Sequence, residues 1–565
     1  MRNTVRLRTL APVVIFLLVL FKPAQVNAGD EDDRAQNAAM FRNIFYSLAK
    51  GQFQDDDIHK LIYVPEERFY ASAKVEGVDP FEERVTDYNS IAPFDLYSKG
   101  LDTPFEEIKD VDSAVTQNPV TIVVIPGIFG EFIQHFPFHE VLVNKDSQYS
   151  KTWKAAIAKK PTVDRVFDLE QMRDLDTDLD KLVEVASIDN PAGKDLVRVI
   201  YLKPLFGSME TLGTIKDSSD IYLRRLAKIR KVLGGFQNLY LMGYSRGLNV
   251  ALELAHEGSQ DAEANPWFQD LKGVLSLGGT LYGSALADGA FEPGKPSCAA
   301  LERMNRLADE LITLPEGASL GDKVKTVAMN AAAWATATTD MISIGTQMQT
   351  AEGLEVENIP TDSLNWGAFG GLLRAVVFEK FKIIEGSEYN NNVEKFKLLI
   401  REVTEGAQSI TKNTTISWQR THTLPTNISY FVLQGTMGDP STKATGPSFL
   451  SKSSVSFNTK AIDYSSLRRS YYDYYADTQS KMNDSQVSPD RTLFWPAYHK
   501  ILNPAQADYR TQILAVIGVD HWGMSFPVAL ESRNKEMSPY PRTILLHSVG
   551  AFLARDLLER SAHGR

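Results

Sequence analysis

The hydrophobic rhythm of the chain changes near residue 120. Upstream, residues 29–118 open on the acidic run Asp30-Glu31-Asp32-Asp33 and mix helix-like with short-strand patterns, so they read as an N-terminal extension packed on a main domain. From Val120 onwards, short and nearly unbroken apolar runs stand at 120–125, 197–202, 237–242, 273–277, 428–434 and 512–518. Runs that do not alternate belong to strands covered on both faces, which is how a parallel sheet reads. Helical spacing, as at 221–233, fills the gaps and supplies right-handed crossovers, and an amphipathic stretch at 543–558 closes the chain. The pattern predicts an α/β fold with a mostly parallel central sheet flanked by helices. A ligand site is then expected beyond the carboxyl ends of the strands.

Between 289 and 426 the alternation stops and the composition becomes helical, with an Ala/Met-rich stretch at 327–348. This segment reads as a helical cap inserted into a sheet domain made of 119–288 and 427–565. Its Ala/Met-rich helix fits either plain core or a mobile lid over an apolar channel.

The first 28 residues read as a cleavable signal peptide. Arg2, Arg6 and Arg8 precede an apolar run too short to span a bilayer comfortably, and Val26-Asn27-Ala28 ends in a small residue. The expectation is a location outside the cytoplasm, periplasmic or secreted. Removing this segment takes away four basic groups and no acids, so the formal net charge moves from −11 to −15. An acidic exported chain is a poor partner for nucleic acid. The single cysteine, Cys298, permits no internal disulfide and fits a bacterial exported protein. Asn-x-Ser/Thr sequons at Asn413, Asn427 and Asn483 keep a eukaryotic source open.

Chemistry becomes legible at Gly243-Tyr244-Ser245-Arg246-Gly247, which follows the apolar run 237–242 and precedes helical spacing at 248–255. A serine on a sharp strand-to-helix turn needs neighbours without side chains, which makes this pentapeptide a nucleophile elbow. A serine hydroxyl is a weak nucleophile until a base takes its proton, so the elbow implies a histidine held by a carboxylate. His521 follows the last strand run at once; His499 follows no strand and His547 falls within the C-terminal helix pattern. Asp439, directly after the run 428–434, and Asp484, later in the chain, both preserve the order Ser, Asp, His. Asp520 adjoins His521 and is badly placed to reach its ring, while Asp288 is a minor third candidate. Attack on an ester places negative charge on the carbonyl oxygen, and the backbone N–H of Arg246 is the expected donor to it. The Arg246 side chain reads as a solvated or ion-paired surface group.

The elbow, the loop Pro126-Gly127-Ile128-Phe129-Gly130 and Asp520-His521-Trp522 together resemble the α/β-hydrolase superfamily. Within it they are similar to bacterial triacylglycerol lipases and to deacylases acting on glycosylphosphatidylinositol. The resemblance covers roughly residues 118–285 and 427–560. It implies that Asp484, in Asn483-Asp484-Ser485-Gln486-Val487, is the triad acid, although Ser485 stands where the family has glycine. It also implies that Ile128, with Phe129 as the neighbouring alternative, supplies the second oxyanion donor. Gly278-Gly279-Thr280 resembles the glycine-rich turn near the site in lipase-like proteins.

The expected activity is cleavage of carboxylic, lipid or acyl esters by a serine mechanism, with transient contact to a lipid surface compatible with such substrates. Acyl transfer and a non-catalytic binding role on the same fold are the alternatives. The tyrosine-rich piece at 471–475 reads as loop packing, with sugar stacking or an acyl channel as the functional reading. No G-x-x-x-x-G-K, H-E-x-x-H or C-x-x-C motif occurs, so no cofactor and no metal is expected.

Overall fold

Val120-Thr121-Ile122-Val123-Val124-Ile125 is buried at every position, and its side chains divide between two hydrophobic clusters. Ile122 and Val124 face one side, with Tyr240, Met242, Leu275 and Leu277 of neighbouring strands. Val123 and Ile125 face the other, with Leu239, Leu241 and Val274. Period-two side-chain geometry turns one unbroken apolar run into two core faces, so both faces of the sheet must be covered.

In the computed structural model, residues 28–63, 104–128, 179–189, 195–204, 210–313, 389–435 and 540–562 are described continuously, with interrupted stretches within 151–155, 319–329, 454–463 and 484–524. The strands are β1 (Ile62–Tyr63), β2 (Val120–Ile125), β3 (Val183–Asp189), β4 (Asp195–Leu202), β5 (Leu239–Tyr244), β6 (Leu271–Leu277), β7 (Ser429–Gly435), β8 (Ser454–Phe457), β9 (Lys460–Asp463) and β10 (Arg510–Ile517). Eight of them form one sheet in the order β3-β4-β2-β5-β6-β7-β10-β1, and β8 pairs with β9 in a separate antiparallel ladder. The six from β4 to β10 run parallel, while β3 and β1 close the two edges antiparallel. With the strand-to-helix turn after β5, this is the α/β-hydrolase fold.

Both edge strands escaped the sequence reading. β3, Val-Glu-Val-Ala-Ser-Ile-Asp, carries polar residues within it, and β1 has two residues, so neither shows the long apolar run of a covered strand.

The described helices used below are α1 (Ala28–Ala49), α2 (Asp55–Leu61), α3 (Ile215–Leu233), α4 (Gly247–Gln260), α5 (Pro296–Glu310), α6 (Tyr389–Ser409), α7 (Lys412–Thr421) and α8 (Arg542–Ala562). Helices α3 and α4 cover one face, with Leu226, Ile229, Leu248 and Ala251 in its core. Helices α1 and α8 cover the other, where Phe41 meets Phe552 edge-on at 6.0 Å between centroids. The start of the chain segment read as an extension thus builds part of a core face: α1 packs on α8 and β10, and α2 leads into β1.

The segment read as a cap ends in α7, whose N-terminus is capped by the Thr411 side chain accepting the Thr414 N–H. Ile416 of α7 belongs to the same cluster as Leu248 and Ala255 of α4, and Gln419 Nε2 donates to the Leu281 carbonyl at 2.8 Å. Packing against the sheet therefore resumes by α7, ahead of β7. Residues 331–388, including much of the Ala/Met-rich stretch, lie outside the described residues, as do 1–27 and 471–475. Among the described residues no helix is long and apolar enough to cross a membrane.

Strand order locates the site. From β2 the chain moves to one side, to β3 and β4, and then crosses back to β5 and on to β6, β7 and β10. The reversal opens a crevice at the carboxyl ends of β2 and β5, where Gly127 and Ser245 stand.

Candidate active site

Ser245 follows β5 directly and has φ +55°, in the left-handed region. For a residue with a side chain this conformation costs about 1–3 kcal/mol, so the surroundings must enforce it. They do so through backbone packing that only glycine permits. A Cβ on Gly243 would stand 2.3 Å from Leu248 Cα, and one on Gly247 would stand 2.4 Å from the Ile125 carbonyl oxygen. The turn is held by Ser245 N–H donating to Leu277 O at 3.2 Å, and by Thr280 N–H donating to Ser245 O at 3.2 Å. Helix α4 starts two residues after the serine, with its positive end toward the turn.

His521 lies beyond β10 and is buried. Its Nδ1 is 2.7 Å from Asp484 Oδ2, and its backbone N–H donates to Asp484 O at 2.8 Å. The other carboxylate oxygen, Oδ1, accepts the N–H groups of Gln486 at 3.0 Å and Val487 at 2.7 Å. Asp484 is fully buried with both oxygens engaged, which satisfies a charge that would otherwise be costly.

Tyr244, the residue before the serine, ties this pair to the elbow. Its hydroxyl donates to the His521 carbonyl at 2.8 Å and its ring lies 5.0 Å from the imidazole. His521 Nε2 is buried and makes no hydrogen bond to another described group. On the opposite side, a Cβ on Gly127 would stand 2.9 Å from Ser245 Cβ, so the loop after β2 lies against the serine, with Ile128 next in line and half-buried. Phe129 lies outside the described residues.

The Arg246 side chain corrects the sequence reading: it is a buried anchor, 1% exposed, and not a surface group. Its Nη2 donates to the carbonyls of Leu212, Gly213 and Thr214 at 3.2, 2.9 and 3.0 Å, and both Nη atoms reach Ser218 Oγ. Nothing in local sequence announces this, because its acceptors lie 28 to 34 residues upstream, at the entry to α3.

The other candidates separate. Asp288 pairs with Arg491 at 3.1 Å and accepts the Lys412 N–H at 2.7 Å. His547 is 2.7 Å from Asp112 Oδ1. Asp439, Asp520, Ser485 and His499 lie outside the described residues. Three contributors went unrecognised in sequence: Tyr244, which was merely the variable position of the motif; Arg491; and Met524. Met524 sits where a Cβ on Gly278 or Gly435 would come within 2.8 or 2.2 Å of its Cε, so the two glycines make room for it. Gly278 has φ +54°, and a Cβ there would lie 3.4 Å from Asp484 Oδ2, beside the acid. Among the described residues no group of three His, Cys, Asp or Glu side chains could hold a metal ion.

No protein-family model matches the sequence, and no curated protein matches it. Among solved structures, the chain is similar to a metagenomic carboxyl esterase, MGS0156, at 12% identity and a TM-score of 0.36 over 80% of each chain. It is also similar to the Bacillus licheniformis lipase BlEst2 in its mature form, at 11% identity and a TM-score of 0.29 over 74% of this chain and 89% of that one. The propeptide form of the same lipase gives 11% identity and a TM-score of 0.30, over 74% and 48% of the two chains.

Proposed function

We propose that the chain is an exported serine hydrolase that cleaves carboxylic esters, of lipid or other acyl type, through Ser245, His521 and Asp484. The observation that carries this reading is a buried carboxylate–imidazole pair joined through Tyr244 to a serine held at φ +55°. Strain of this kind persists only where surrounding packing enforces it, and it clusters at reactive sites.

In the proposed reaction, His521 Nε2 takes the hydroxyl proton as Ser245 Oγ bonds to the ester carbonyl carbon. Asp484 keeps the proton of the ring on Nδ1 and stabilises the imidazolium that forms. The backbone N–H groups of Arg246 and Ile128 hold the developing oxyanion. Collapse breaks the bond to the alcohol, which leaves with the proton from His521. Water then attacks the acyl-serine with His521 again as base, releasing the acid and restoring Ser245. Ser245 Oγ and His521 Nε2 make no hydrogen bond in the free chain; in the proposed reaction that contact forms in the substrate complex, as catalytic hydrogen bonds commonly do.

The test is labelling with a fluorophosphonate, together with hydrolysis of p-nitrophenyl esters of increasing chain length. Wild type should label and turn over while Ser245→Ala does neither; an unlabelled, inactive wild type would leave a non-catalytic binding role. Cell fractionation tests export, with the mature N-terminus expected near residue 29.

A further inference from the structure

Asp484 stands on a loop, so no sheet ladder fixes the direction of its carboxylate, yet a triad acid must be held to within a fraction of an ångström. What fixes the loop is a buried cation. Arg491 has a side chain 3% exposed; its Nη1 donates to Tyr282 O at 2.9 Å and lies 3.1 Å from Asp288 Oδ2. The Tyr282 N–H returns a bond to Arg491 O at 2.9 Å, and Ser284 Oγ donates to Gln486 O at 3.1 Å. The acid loop is thereby stapled at 486 and at 491 to the segment that follows β6.

That segment is itself clamped from behind. Asp288 Oδ1 accepts the Lys412 N–H at 2.7 Å, Ser284 N–H donates to Ile410 O at 2.9 Å, and a Cβ on Gly283 would overlap the backbone of Thr411 and Lys412. Asp288 therefore uses one oxygen to grip the α6–α7 turn and the other to grip Arg491.

We infer that the Arg491–Asp288 ion pair is a positioning device for the acid of the proposed triad, acting through the loop that carries Asp484 to aim its Oδ2 at His521. This rests on the triad reading above. Stability alone does not explain the pair, because the Asp288 side chain is 30% exposed and solvent-screened ion pairs contribute little net stability. A guanidinium that spans a carbonyl and a carboxylate sets direction, which apolar packing does not.

The test uses Asp288→Asn, Arg491→Lys and Arg491→Met in the full chain, with p-nitrophenyl ester kinetics across pH and fluorophosphonate labelling rates. A misplacement of about 1 Å can cost about a hundredfold in rate. The Asp288→Asn and Arg491→Met proteins should lose about 10- to 100-fold in kcat with KM within about twofold, and Arg491→Lys should recover part of the loss. The acidic limb of the kcat/KM profile should move to lower pH, because a misaligned carboxylate stabilises the imidazolium less. Asp288→Asn keeps the shape and an acceptor for Lys412 N–H, so it reads the charge in a protein whose folding is checked by thermal unfolding. Lower thermal stability with kcat and acidic limb unchanged would overturn the inference while leaving the triad standing. A wild type that takes up no fluorophosphonate would remove the triad and this inference with it.

Discussion

Asp484 and His521 are joined twice, once between side chains at 2.7 Å and once between backbones at 2.8 Å. The backbone bond brings the loop carrying Asp484 to the turn after β10, and the side-chain bond sets the imidazole within that frame. The remaining oxygen of Asp484 is taken by two N–H groups, so the carboxylate has little freedom to turn away from the ring.

That geometry predicts the outcome of an isosteric change. In Asp484→Asn the N–H groups of Gln486 and Val487 hold the amide oxygen, which leaves the NH2 facing the histidine ring, so the ring loses the acceptor that fixes its tautomer. The expected fall in kcat is on the order of 10⁴-fold. Asp439→Asn should remain near wild type in the same assay; the reverse pattern would reassign the acid.

Arg246 should behave as a structural anchor through its side chain. Arg246→Ala withdraws the donor from three backbone carbonyls and Ser218, and each buried acceptor left unsatisfied costs about 1–3 kcal/mol. Urea unfolding should report a loss of at least about 2 kcal/mol. An unchanged midpoint and slope would show that the entry to α3 does not depend on this contact.

Gly127 lies against Ser245, where an added Cβ would meet Ser245 Cβ at 2.9 Å. Gly127→Ala should slow fluorophosphonate labelling of Ser245 by about tenfold or more, since small displacements at a reacting centre are costly. Thermal stability should fall far less than for Arg246→Ala. Labelling at the wild-type rate would mean that the loop after β2 is not in register with the serine.

Glu253 offers a prediction in pH. It is buried on α4, accepts from Trp418 Nε1, and has His422 Nε2 3.9 Å away; burial pushes its carboxyl above the ordinary range. A raised folded-state value favours the protonated form. The stability it contributes is complete below the unfolded carboxyl range, about 4.3, and is lost as pH rises through the folded value. Glu253→Gln should therefore match wild type near pH 4 and melt higher at pH 7, by on the order of 1 °C. Melting curves at pH 4, 5.5 and 7 check this; a gap that does not widen with pH would contradict the burial argument.

The sheet was legible from pattern because a strand covered on both faces must be apolar throughout: the run at 120–125 is strand β2, and the runs at 428–434 and 512–518 fall on β7 and β10 to within a residue or two. The elbow was legible for the same local reason, since Gly243 and Gly247 are demanded by backbone contacts made within a few residues of Ser245 or by the adjacent strand. A histidine just past the last run could be singled out on position alone.

What sequence by itself determined, then, is the covered strands, the strand-to-helix turn at Ser245 and a histidine beyond the final strand, each encoded by neighbouring residues. Tertiary structure decided the partnerships. Asp484 reaches His521 across 37 positions, Tyr244 reaches it across 277, and the side chain of Arg246 finds its acceptors 28 to 34 positions upstream. Such contacts depend on how loops of irregular backbone are brought together at one end of the sheet, and no hydrophobic period records where a loop will carry a carboxylate or a guanidinium.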